Sequence, residues 1–146
     1  LPIGNPNNLV PLITQSAAGI CDRLYVYGND YNTDDGTAVR DYIHVVDLAK
    51  AHVSALNRSI NNKQLKKYEY FNVGTGKGHS VLEVITAFEK ANSLKVNYEI
   101  IDRRDGDIEK IYSDTKLSND QLDWKSEMGI EDMMKSAWEW QKKIKK

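Results

Sequence analysis

Five arginines, Arg23, Arg40, Arg58, Arg103 and Arg104, stand among 20 Lys and Arg residues in this 146-residue chain. Three of them sit where chemistry is plausible. Arg40 opens "RDYIHVVDLAKAH", residues 40–52, in which the β-formers Tyr42, Ile43, Val45 and Val46 give way to helical spacing at Leu48, Ala49 and Ala51. Arg103 and Arg104 begin "RRDGD", a charged loop that ends at Asp107. A guanidinium is costly to bury without a partner, and its planar fork suits phosphate because it donates two parallel hydrogen bonds. Two such loops meeting in space would make a diphosphate clamp. The same residues could instead form ion pairs, Arg40 with Asp41 and Arg104 with Asp105. Asn8 has two readings as well. It is a good N-cap for the helical spacing of Leu9, Leu12, Ile13 and Ala17, and a helix N-terminus also offers unpaired N–H groups to an anion.

Other motifs carry less. "GTGKGH" (Gly74, Gly76, Gly78) follows strand-like residues and precedes a helix, but the dinucleotide fingerprint places its third glycine one residue later. A tight turn accounts for these glycines. Tyr112 and Lys116 have the Y-x-x-x-K spacing of short-chain dehydrogenases, yet Asp114 between them reads as a helix cap, which leaves Tyr112 before the helix. His44, His52, His79 and Cys21 show no metal-ligand spacing. His44 reads as a packed, hydrogen-bonded side chain and Cys21 as a small buried one.

The elements that must position these residues alternate. The spacing predicts a loop at 1–7, a helix from Leu9 to about Gly19, a strand at 23–28, a polar loop at 29–38, a strand at 40–45 and a helix from about 47 to 60. A surface connection at 61–67 leads to a strand at 68–74 and a helix at about 80–92. A strand at 95–101, the charged loop, an extended piece at 110–114 and a helix capped by Asp114 to about Leu122 come next. The last helix, about 130–145, would put Ile130, Met133, Met134, Ala137, Trp140 and Ile144 on its core face, with its terminal lysines solvated. This is an α/β pattern, and a chain of this length can bury roughly 68–70% of its unfolded surface. A net charge of −1 argues against a nucleic-acid binder. No apolar run is long enough to span a membrane, and no signal peptide is evident. One cysteine fits a reducing, cytoplasmic compartment. The chain opens without Met, in a loop, and reads as a piece of something longer.

Taken in order, "PNNLVPLI", "LYVYGNDYNTDDGTAVRDYIHVVDLAKAH", "YFNVGTGKGHSVLEVI", "NYEIIDRRDGDI" and "SDTKLSNDQLDW" resemble the second half of UDP-glucose 4-epimerases, members of the extended short-chain dehydrogenase/reductases. The match runs over essentially all 146 residues. The resemblance implies a small C-terminal UDP-sugar-binding α/β domain over 1–146, with about 45–74 ("VVDLAKAH" and "YFNVG") returning to pack on an N-terminal Rossmann domain that holds NAD. It implies that Asn8 and Leu9 meet the diphosphate and nucleotide, and that Tyr25 and Tyr27 lie along the uracil. Arg40 and Arg104 would bind the phosphates, and Asp107 would accept from the ribose. Ile111 would lie near the sugar, where Tyr or Cys is the expected form. The implied reaction inverts C4 of a UDP-hexose by transient oxidation to a 4-keto sugar in galactose metabolism, in a cytoplasmic homodimer. The catalytic Tyr and Lys would lie upstream, so this chain alone would be inactive. The neighbouring possibilities are a UDP-N-acetylhexosamine or UDP-uronate 4-epimerase, or a non-catalytic nucleotide-binding domain.

Overall fold

A computed structural model describes residues 6–144, so residues 1–5 of the expected opening loop and the last two lysines lie outside the described residues. Helix α1 (Leu9–Ala17) follows Asn8 and stops at Gly19, whose φ of +67° is left-handed. Strand β1 (Leu24–Tyr27) pairs in parallel with β4 (Tyr98–Ile101), Leu24 opposite Tyr98 and Tyr27 opposite Ile101. A second sheet has β2 (Val39–Asp41) at its centre. On one side β3 (Gly78–Ser80) runs antiparallel, and on the other β5 (Lys110–Ile111) runs parallel. Four more helices complete the order: α2 (Val45–Ile60), α3 (Val81–Asn92), α4 (Lys116–Leu122) and α5 (Ile130–Ile144).

The main core joins α1, β1, α3 and α5 through Ile13, Leu24, Val26, Val84, Ile85, Phe88 and Met134. Val84, Ile85 and Phe88 share one face at helical spacing. A capping box between Ser80 and Glu83 fixes where α3 begins. Phe88 meets the Trp138 ring edge-on, centroids 5.9 Å apart. A smaller cluster gathers Ala51, Leu122 and Trp124 beneath α2, with Phe71 and Val73 against it.

Several expected elements change. The strand foreseen at 40–45 closes at Asp41, because His44 caps α2 instead of extending the strand. Its Nδ1 accepts from the Val46 N–H at 3.1 Å, so Nε2 carries the proton and donates to Ser136 Oγ at 2.9 Å. The expected strand at 68–74 is absent, since no described segment pairs with its backbone and a strand is defined by pairing. The strand foreseen at 95–101 starts only at Tyr98. Thr115, not Asp114, takes the N-cap position of α4, although Asp114 Oδ1 accepts from the Lys116 N–H at 3.0 Å. In α5 the core stripe runs through Met133, Met134, Trp138 and Gln141, which puts Trp140 in solvent rather than in the core. Cys21 is half-buried, not fully enclosed; burial, then the neighbouring Asp22, pushes its thiol pKa up.

Candidate functional site

The residues singled out for phosphate and nucleotide chemistry come together. Leu9, Tyr25, Tyr27, Arg40, Arg104 and Asp107 line one groove of about 150 Å³. Each arrives on a different support. The first turn of α1 presents Leu9, and β1 presents the two tyrosines. Arg40 is the middle residue of β2, and the loop between β4 and β5 supplies Arg104 and Asp107.

Arg40 Nη2 donates to Asp107 Oδ1 at 2.9 Å, and Nη1 donates to the Val39 carbonyl at 2.8 Å. The rest of its fork, which carries five N–H donors in all, is uncommitted among the described residues. Arg104 lies over the Tyr27 ring, its guanidinium carbon 3.7 Å from the centroid. The Arg104–Asp105 pairing is therefore not formed, and Arg40 does not pair with Asp41. Asp41 faces elsewhere: it accepts from Thr75 N at 2.9 Å, Thr75 Oγ1 at 2.6 Å, Gly76 N at 3.0 Å and Ser113 N at 3.2 Å. Burial raises its carboxyl pKa, but these hydrogen bonds outweigh that and hold it below the usual range. Tyr42, largely enclosed near Arg40, is pushed up to about 12 by burial, which the Arg40 charge only partly offsets.

Asn8 stands at the head of α1 in an extended conformation, and its side chain makes no capping bond, so the first-turn N–H groups keep their anion-facing capacity. It flanks the groove without lining it. Ile111 also lies outside the lining; it is exposed and stands in register with Arg40 across β2 and β5. Sequence reasoning missed Asn7, Leu12 and Val81 as lining residues. Leu12 and Val81 carry only ordinary helix-face signals, and Asn7 only a loop signal.

The glycine turn is filled by protein rather than shaped for a ligand. A Cβ on Gly74 would sit 2.3 Å from Asp41 Oδ2, and one on Gly78 would sit 2.4 Å from Val39 Cγ1. With its glycine spacing also off the fingerprint, this turn does not fit NAD. Tyr112 is exposed ahead of α4, and Lys116 pairs with Asp120 at 2.8 Å, so the Y-x-x-x-K spacing is not realised on one helix. Among the described residues no cluster of His, Cys, Asp or Glu could hold a metal ion, and no helix is long and apolar enough to cross a membrane.

Residues 4–137 match the family described as GDP-mannose 4,6 dehydratase. The UDP-glucose 4-epimerase of Pasteurella multocida is 52% identical over 142 residues, 97% of this chain and 41% of that protein. The crystal structure of UDP-glucose-4-epimerase from Stenotrophomonas maltophila with bound NAD and formylated UDP-arabinopyranose superposes with a TM-score of 0.94 at 46% identity, covering 99% of this chain and 42% of that one. The Bifidobacterium longum UDP-glucose 4-epimerase in complex with NAD+ and UDP gives 0.89 at 47% identity, covering 97% of this chain and 41% of that one. The chain thus spans about two fifths of the length of the relatives it matches.

Proposed function

The chain belongs to the GDP-mannose 4,6 dehydratase family, and on that footing we propose that it is the UDP-sugar-binding part of a UDP-glucose 4-epimerase. The carrying observation is the convergence of Arg40, Arg104, Tyr27 and Asp107 on one groove. In this reading Arg40 and Arg104 grip the diphosphate from two sides, with the head of α1 at Asn8 and Leu9 adding N–H groups. Tyr25 and Tyr27 line the uracil end. Asp107, already oriented by Arg40, accepts from the ribose. Ile111, beside Arg40 on the neighbouring strand, borders the hexose. NAD supplies the reversible oxidation at C4 of the sugar. The glycine turn does not fit NAD, and every role assigned to the described residues is binding and orientation. A firm hold on UDP suits such a reaction, because the hexose must turn while its anchor stays put.

Residues 45–74 are proposed to dock on the NAD-binding part, which their exposed apolar side chains support. The reading as a cytoplasmic, homodimeric enzyme of galactose metabolism goes with this proposal, and the single cysteine is compatible with it.

The test is a calorimetric titration of the complete protein with UDP at low salt, beside Arg40→Ala, with turnover of UDP-galactose measured in parallel. Saturable binding by the wild type, at least tenfold weaker in the variant, is expected: the loss removes a charge-assisted fork and leaves Asp107 facing the phosphates. Wild-type protein that neither binds UDP nor converts UDP-galactose overturns the proposal.

A further inference from the structure

We infer that Arg103 is a positioning residue, a latch that holds the 102–107 loop so that Arg104 is presented to the groove; this rests on the proposed UDP-binding reading. Two consecutive arginines face two different supports. Arg104 covers Tyr27, the last residue of β1, inside the groove. Arg103 lies outside it, over Gly28 and the buried Tyr31, its guanidinium carbon 4.0 Å from the Tyr31 centroid. Its Nε donates to Asp30 Oδ1 at 2.5 Å, and its Nη2 donates to the Asp30 carbonyl. Gly28 makes room for this arrangement. A Cβ there would sit 2.6 Å from Tyr31 Cε2 and 2.7 Å from Arg103 Cγ, and its φ of +79° disfavours any side chain. The Gly28 N–H donates to the Ile101 carbonyl at 2.8 Å, which ties the base of the loop to β1. At the far end Asp107 is held by Arg40. The loop is thus pinned on both sides of Arg104.

Arg103 and Asp30 are 44% and 69% exposed at the side chain. Exposed pairs of this kind contribute little to global stability. The ring contact and the two directed bonds to Asp30 together favour arginine, since lysine supplies neither a planar group nor the fork. The latch therefore acts on Arg104 rather than on the fold.

A double-mutant cycle on the complete protein, read by UDP titration, tests this. Arg103→Ala should weaken UDP binding about tenfold, within the range of couplings between groups in contact. In an Arg104→Ala background the same change should have no further effect, and Arg103→Lys should not rescue. The melting temperature should stay near that of the wild type. Asp30→Asn, which loosens the latch from the other side, should weaken UDP binding too and lose its effect without Arg104. An equal fold-loss in both backgrounds, or no loss from Arg103→Ala, overturns the latch while the UDP reading stands. Wild-type protein without saturable UDP binding overturns both.

Discussion

Arg40 and Asp41 are neighbours on β2, and alternation along a strand sends their side chains to opposite faces. Arg40 faces the groove; Asp41 gathers the Gly74–Gly76 turn and the chain after β5. Their substitutions should therefore fail differently. Asp41→Ala leaves the N–H groups of Thr75, Gly76 and Ser113 without their acceptor, and an orphaned donor costs about 1–3 kcal/mol once it is shielded from water. Urea unfolding should show a loss of that order for Asp41→Ala. Arg40→Ala should leave the unfolding midpoint close to wild type, the mirror image of its effect on UDP binding. Equal destabilisation by the two would mean that Arg40, too, is a structural residue. Nothing in the local sequence foretells this division, because Asp107, the carboxylate partner of Arg40, and the partners of Asp41 lie 34 to 72 residues away.

Among the elements, α2 is joined to the connection after it and to α4 by Arg58. Its Nε and Nη2 donate to the two oxygens of Glu69 at 2.8 and 3.0 Å, and Nη1 donates to the Gln121 carbonyl at 3.1 Å, next to the end of α4. Glu69 also accepts from the Leu65 N–H, so this one carboxylate organises the hydrophilic connection after α2. The Arg58 hydrogen bonds, foremost, and that of Leu65 pull its pKa from 4.5 down to about 2. A depressed carboxyl adds stability that is present above its unfolded pKa and lost as pH falls through the folded one. The window is thus about pH 4.5 down to about 2. The urea midpoint of the wild type should fall through this window more than that of Glu69→Gln, and the two curves should converge near its lower end; parallel curves would refute the assignment. Periodicity alone made α1, α2, α3 and α5 legible: α1, α3 and α5 bury their apolar faces, and α2 carries an apolar stripe at helical spacing on its exposed side. It failed for 68–74, where Tyr68, Tyr70, Phe71 and Val73 are good strand formers but a strand also needs a neighbour. It failed for Trp140 by a matter of phase: Trp138 and Gln141 continue the stripe from Met134, and Trp140 lies off it.

At the scale of the molecule, the core is lopsided. α1, α3 and α5 close over β1, whereas α2 turns only Asp47, Ala51 and Arg58 fully inward. Its outward side carries Val46, Ala49, Val53, Leu56 and Ile60, spaced three and four residues apart like the seam of a helix that expects a partner. Val53, Leu56 and Ile60 are 56%, 58% and 65% exposed. Leu65, Tyr68, Tyr70 and Leu117, which border a groove of about 240 Å³, are also open to solvent. Exposed apolar surface of this kind drives association when nothing covers it. The 146-residue chain on its own should therefore self-associate, with a sedimentation coefficient that rises with concentration. Val53→Lys with Leu56→Lys should return it toward a monomer at an unchanged melting temperature, because neither side chain is in the core. Association that persists in that double variant would move the adhesive surface off α2, toward the Tyr68 and Tyr70 strip. A sharp wild-type monomer at every concentration would mean that this face tolerates water, and the proposed docking of 45–74 would lose its physical basis.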